Sequence, residues 1–482
     1  MNTPLRRVAT VMLVMFLALM ASATWVQYVQ APSLNADSRN VRTLYREFGN
    51  ARGPIVVAGA AVAQSVKVDD SFGYQRQYTD GELYSAVTGY YSIVNGSSQL
   101  EKAANDQLTG RGDQLFFSRL RDLVTGRKPE GAAVETTILP AAQKAARDGL
   151  GDQQGAVVAI EPSTGRILAM VSTPGFDPNA LATHSSGDAA KAYQDLLAAD
   201  GNPLRSNATL EIYPPGSTFK LVTAAAALES GAYDEDSELP APVRLDLPQT
   251  SATIGNFGGG GCGGDPITLA DALRVSCNTA FAQLGMDLGA DALREQAERF
   301  GFDSSLTIPV PVVASRFPQD PNAPQTAQSA IGQFDVAATP LQMAMVAAAI
   351  ANDGRLMRPY LVERVRAADL SVVAQTEPEL LSTAVSPGTA AQLTDMMIGV
   401  VSSGSGTAAK IPGVQVAGKT GTAQTTDEAA PHAWFTAFAP AQSPQVAVAV
   451  LVEHGGSAGS EATGGRVAAP IARAVIQAVL DS

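Results

Sequence analysis

Pro214-Pro215-Gly216 cannot lie inside a helix, and the Ala-rich stretch from Leu221 to Leu228 favours one, so the sequence predicts a helix starting near Ser217. Gly231 follows at its natural end. At this start stands Ser217-Thr218-Phe219-Lys220, a hydroxyl and an amine one turn apart on one face. The helix N-terminus favours negative charge on the Ser217 oxygen. A free lysine titrates near ~10.4, so a lysine acting as base must be destabilised as an ammonium by about 4 kcal/mol. Burial and a second ammonium supply such a term, and Lys419 is the candidate neighbour. Taken alone, the pattern reads more readily as an ordinary amphipathic helix with a solvated lysine. Two further blocks follow in order, Ser276-Cys277-Asn278 and Lys419-Thr420-Gly421-Thr422, and chance placement of all three is improbable. Singly, Ser276 and Asn278 could cap turns and Lys419 could end an edge strand.

Net charge is −13 and the sequence pI about 4.8, so no basic face is expected for nucleic acid. The segment Val8 to Val26 is uncharged and mostly apolar, and at 1.5 Å per residue it spans about 28 Å, close to a bilayer's hydrocarbon core. Arg6 and Arg7 precede it, which predicts a cytoplasmic N-terminus and a body outside. A cleaved signal peptide is the competing reading, since Ala21-Ser22-Ala23 resembles a cleavage site; the length of the run favours an uncleaved anchor. His184, His432 and His454 show no metal-ligand spacing with the two cysteines, so no zinc site is expected, and His432 and His454 read as structural or surface residues, not catalytic ones. The Gly-rich run Gly255 to Gly264 lacks the Lys-Ser/Thr of a phosphate loop and reads as a flexible loop.

Ala156 to Ile160 and Ile167 to Val171, joined by Pro162-Ser163-Thr164-Gly165, read as a β-hairpin. Strands are expected at 415–424, 434–439 and 446–453, and a closing amphipathic helix at Thr463 to Leu480. The first two motifs fall in a long helical insertion between the hairpin and these strands. The expected fold class is α+β, an antiparallel sheet flanked by helices with a helical subdomain. The expected organisation is a short cytoplasmic segment 1–7, an anchor 8–26, a smaller α+β non-catalytic pedestal 27–150, and a catalytic domain 151–482.

The ordered motifs are those of penicillin-recognising serine enzymes. The chain resembles a class B penicillin-binding protein over nearly its whole length. Glu211 to Lys220 looks like the family's Pro-Gly-Ser-x-x-Lys block, and Gly155 to Ile160 with Thr164 to Met170 looks like its opening hairpin. Phe176 to Asn179, Gly332-Gln333, Thr339 to Ala344 and Ala433-Trp434-Phe435 match further blocks. Tyr78 to Gly81, Gly89 to Ser92 and Leu100-Glu101 match the non-catalytic domain. One departure is that Arg52-Gly53-Pro54-Ile55 is followed by Val56-Val57-Ala58-Gly59, not by the Asp-Arg-Asn-Gly ending of many members, which bears on partner contacts and not on catalysis.

The resemblance implies a peptidoglycan D,D-transpeptidase of the cell membrane, single-pass, acting on stem peptides ending in D-Ala-D-Ala and inhibited covalently by β-lactams. It implies catalytic roles for Ser217 (nucleophile), Lys220 (base) and Ser276 (proton relay). Asn278, Lys419, Thr420, Gly421 and Thr422 would bind substrate, and the backbone N–H groups of Ser217 and Thr422 would form the oxyanion hole. Membrane-bound division or elongation proteins are the expected partners, and residues 27–150 are too few for a pedestal plus a glycosyltransferase domain. A D,D-carboxypeptidase differs only in its acceptor and stays open. A β-lactamase would need rapid deacylation, and the stretch between Arg299 and Val362 holds no Glu to activate water. A sensor would need a cytoplasmic effector region, which seven residues before the apolar run do not provide; a division scaffold could coexist with catalysis.

Cys262 and Cys277 are the two cysteines, and in an oxidising compartment they are expected to pair. The alternative is two unpaired residues, with Cys277 a small buried side chain. A bridge would contribute about 3 kcal/mol in the loop-entropy model and hold the Gly-rich loop beside Ser276 and Asn278.

Overall fold

A computed structural model describes residues 2–30, 48–112, 130–424 and 429–482, so parts of the 27–150 segment lie outside the described residues. The chain falls into two compact units, Met1–Ala51 with Val66–Gln75, and Arg52–Ser65 with Arg76–Ser482. In the first, the helix Asn2–Thr24 continues through a π-helical turn at Trp25–Val29. Leu13 and Phe16 stand about 60% exposed on it, so the helix buries no apolar face of its own. Thr3–Val29 has a mean hydropathy of 2.0, and among the described residues it is the one helix long and apolar enough to cross a membrane.

The second unit is built on a five-stranded antiparallel sheet. Its order is Ala417–Ala423, His432–Ala439, Val446–Val452, Gly155–Ile160, Ile167–Thr173. Side chains alternate between faces with a period of two. Val157, Ala159, Val448 and Val450 join one core with Ala142, Ala146, Ile471 and Val475, which come from the helices Pro140–Leu150 and Ala469–Leu480. Ala156, Val158, Ala447 and Ala449 join the other, with Met343 and Val346 from Pro340–Ala351. Both faces are covered, which is why these strands read as unbroken apolar runs. Pro340–Ala351 is apolar almost all round because it lies inside the unit, buried from Pro340 to Ile350. Thr339 caps its start by accepting the Gln342 N–H.

A second sheet draws on distant parts of the chain. Ile55–Val57 pairs parallel with Ala133–Thr136, which pairs antiparallel with Val362–Arg366. Beside it lies a buried ionic cluster. Glu101, fully buried, accepts from Arg52 Nε at 2.6 Å, from Arg76 Nε at 2.7 Å and from the Tyr78 hydroxyl at 3.2 Å. Arg52 also donates to Asn105 Oδ1 at 2.7 Å and lies 4.3 Å over the Tyr91 ring. The α+β class with a helical insertion is the observed architecture.

Candidate functional site

Ser217 sits in a 3-10 turn, Gly216–Phe219, that leads straight into the helix Lys220–Glu229. Gly216 has φ +53, a left-handed conformation that suits glycine, and its N–H donates to Gly332 O at 2.9 Å. Pro214 O accepts from Trp434 Nε1 at 3.0 Å and Pro215 O from the Thr218 hydroxyl at 2.7 Å, so the turn is held on both flanks. It packs on the Ala417–Ala423 strand, an edge of the main sheet whose outer backbone groups have no strand partner among the described residues. A Cβ built on Gly216 would lie 2.8 Å from Thr422 O, which puts the Ser217 and Thr422 backbones side by side. A Cβ on Gly421 would meet Pro215 O at 2.9 Å and Trp434 Cβ at 2.8 Å. A glycine there is therefore already required by the approach of the serine turn to the strand.

Lys220 is fully buried, and its Nζ donates to Ser276 O at 2.7 Å, Asn278 Oδ1 at 2.8 Å and Ser276 Oγ at 3.3 Å. Among the described residues none of its hydrogen bonds goes to Ser217. Lys419 is also fully buried and donates to Ser276 Oγ at 2.8 Å and to Thr420 O at 2.9 Å. Ser276 Oγ thus lies between two amines. Its residue holds φ +63 at the end of the helix Leu269–Val275, a conformation few non-glycine residues adopt. Burial drives the Lys220 ammonium well below the usual lysine range, and the Lys419 charge lowers it further. Burial alone lowers Lys419 to about 7.

The residues open on a cleft of about 1150 Å³. Ser217, Ser276, Asn278, Thr420 and Thr422 line it, whereas Lys220, Lys419 and Gly421 stand behind the wall. Among the described residues, no group of His, Cys, Asp and Glu is arranged to hold a metal. His432 is buried, its Nδ1 accepting the His454 N–H at 3.1 Å.

Cys262 and Cys277 are joined by a disulfide with a Cα–Cα distance of 5.6 Å. It fastens the Gly-rich loop beside the Ser276-Cys277-Asn278 turn. The loop also supplies a residue that sequence reasoning missed. Asn256 Oδ1 accepts the N–H groups of Asn278 at 2.8 Å and Thr279 at 3.2 Å, capping the helix Asn278–Leu288 from outside its own segment. Asn278 Nδ2 in turn donates to Gly255 O at 3.1 Å, which leaves Oδ1 aimed at Lys220. Replacing both cysteines by serine is expected to lower stability by about 3 kcal/mol and to slow covalent labelling by penicillin. Chemical denaturation and labelling kinetics check this; unchanged labelling in the destabilised variant would mean that the bridge does not position the Ser276 turn. Ser405 is the other residue missed, its Oγ 2.7 Å from Thr420 Oγ1 on the cleft wall.

Residues 155–477 match the penicillin binding protein transpeptidase domain, and 52–134 the penicillin binding protein A dimerisation domain. The chain is 49% identical to the peptidoglycan D,D-transpeptidase PbpA of Mycolicibacterium smegmatis, covering 100% of this chain and 99% of that one. It is 46% identical to the protein of the same name from Mycobacterium tuberculosis, again over 100% and 99%. The structure resembles penicillin-binding protein A of M. tuberculosis in its ceftriaxone acyl-enzyme complex, with a TM-score of 0.87 and 46% identity, covering 90% of this chain and 100% of that one. The penicillin G acyl-enzyme complex of that protein matches with a TM-score of 0.85 and 46% identity, over 89% and 100%.

Proposed function

The chain belongs to the penicillin-binding protein family, and from that premise we propose that Ser217 is the nucleophile through which it transfers acyl groups. It is a serine-type peptidoglycan D,D-transpeptidase and a target of β-lactams. The observation that carries the assignment to these residues is the pair of buried amines that meet at Ser276, one of which, Lys220, stands one turn from the cleft-lining Ser217.

In this reading Ser217 Oγ attacks the carbonyl of the penultimate D-Ala of a stem peptide, and its proton passes to neutral Lys220. The Ser217 and Thr422 N–H groups hold the oxyanion as the tetrahedral intermediate forms. The C–N bond to the terminal D-Ala breaks, and Ser276 hands the leaving amine its proton, with the Lys419 ammonium 2.8 Å away to replace it. Asn278 orients Lys220 and binds the substrate amide. Thr420 and Thr422 face the carboxylate, with Lys419 supplying positive charge from behind. An amine of a neighbouring stem peptide then attacks the acyl-enzyme and passes its proton through Ser276 back to Lys419; the ester bond to Ser217 breaks, and its oxygen takes back the proton that Lys220 held.

The localisation follows the same proposal. One N-terminal apolar helix fits a single-pass membrane protein, and Arg6 and Arg7 favour a cytoplasmic start with the catalytic body outside. Residues 27–150 serve as the pedestal and 151–482 as the transpeptidase domain, working beside membrane-bound division or elongation proteins.

Incubation with a fluorescent penicillin, followed by intact mass and peptide mapping, tests the reading. A single long-lived adduct on the peptide carrying Ser217 is expected. An adduct elsewhere removes Ser217 from the role, and rapid loss of the adduct to water would favour a β-lactamase.

A further inference from the structure

We propose that Ser405 is a binding residue for the ligand carboxylate in this cleft, acting with Thr420; the inference rests on the acyl-transfer reading above. The starting point is the position of the positive charge. Lys419 is fully buried, and two of its three N–H donors are already engaged, by Ser276 Oγ and Thr420 O. Among the described residues that line the cleft, none carries a charge. An anion entering there meets hydroxyl groups first and feels the ammonium through the wall.

Ser405 and Thr420 present two of these hydroxyls 2.7 Å apart. One donates to the other, so the pair keeps one unspent hydrogen for an outside acceptor. An oxygen already polarised by its neighbour donates more strongly to an anion, and charge-assisted bonds are about twice as strong as neutral ones. Ser405 is also fixed before any ligand arrives. Its N–H donates to Arg274 O at 3.2 Å, and the next residue, Gly406, donates to Val400 O at 2.9 Å. A Cβ on Gly465 would run into the Ser405 carbonyl oxygen, so the backbone of that glycine closes over it. A hydroxyl held this way loses little freedom on binding. Ser405 lies at sequence positions well before the Lys419 motif, and its hydroxyl has no structural task in the described residues beyond this pair.

The test compares acylation by benzylpenicillin with acylation by its methyl ester, which lacks the anion. Ser405→Ala is expected to slow acylation by the acid about tenfold, the scale of one hydrogen bond to a charged group, and to leave the ester rate unchanged. Ser405→Thr, which keeps the hydroxyl, is expected to recover most of the loss. An equal loss with acid and ester would mean a packing role and overturn the proposal, as would no loss with either. Failure of the underlying reading would appear in the unmodified protein, as no Ser217 adduct with the acid, and would overturn this proposal with it.

Discussion

Replacing Lys220 by arginine is expected to slow acylation by benzylpenicillin by about 10²- to 10⁴-fold, the usual worth of a positioned base. Arginine keeps the positive charge and can still donate towards Ser276 and Asn278, but it does not give up its proton in a protein, so it cannot accept one from Ser217. The buried site makes lysine competent where water does not. Burial lowers Lys220 far below its ordinary 10.5, and the Lys419 ammonium adds to the effect. Lys419 is lowered to about 7 by burial alone. The repulsion between the two buried ammoniums is mutual, so losing one proton makes the other easier to keep, and the working state is the one in which Lys220 is neutral and the pair carries one charge. Acylation should therefore rise with pH as Lys220 becomes neutral, then fall near pH 7 as Lys419 loses the charge that faces the carboxylate. Stopped-flow acylation across pH 5 to 9 checks both limbs. A Lys220→Arg variant within tenfold of the unmodified rate would remove Lys220 as the base.

These lysines were legible in the sequence because each sits in a short block whose spacing carries chemistry. The strands were legible for a different reason. Runs such as Val446–Val452 are short, valine-rich and buried on both faces, the pattern of a strand in a covered sheet. The helix expected from Ser217 is there, but the serine itself is in a 3-10 turn and the α-helix begins at Lys220. The proline pair marks the boundary without stating the geometry of the first turn. Asn256 and Ser405 left no local signal. Both are small polar residues in Gly- and Ser-rich stretches, and their tasks come from partners at 278 and 420. In the Gly-rich run the bridge at Cys262 is the expected one, whereas the helix cap supplied by Asn256 is not legible in a stretch that reads as a flexible loop. Sheet order was equally hidden. That Val362–Arg366 would join Ala133–Thr136 depends on long-range pairing that alternation alone does not specify.

Glu101→Gln is expected to cost about 3–5 kcal/mol of stability, the range for removing one partner from a buried ion pair. Gln is nearly isosteric, so the loss is one of charge, not of volume. Arg52 and Arg76 have side chains 3% and 1% exposed, and Glu101 is the carboxylate both contact. With it neutral, two guanidiniums remain buried without that counter-charge. Arg76→Met should be milder, because it leaves one cation facing one anion. The acid behaviour has a definite sign. Burial by itself would raise the Glu101 pKa, but Arg76 and Arg52 together hold it below its ordinary 4.5. A carboxyl held lower in the folded state contributes stability that is fully present above the unfolded value, and loses it as pH falls through the folded one. The gap between the unmodified protein and Glu101→Gln should therefore be widest at neutral pH and narrow below pH 4.5. Guanidinium unfolding of both proteins at pH 7 and pH 3.5 measures it. A Gln variant as stable as the unmodified protein at pH 7 would show that the two guanidiniums do not depend on Glu101 for their charge balance.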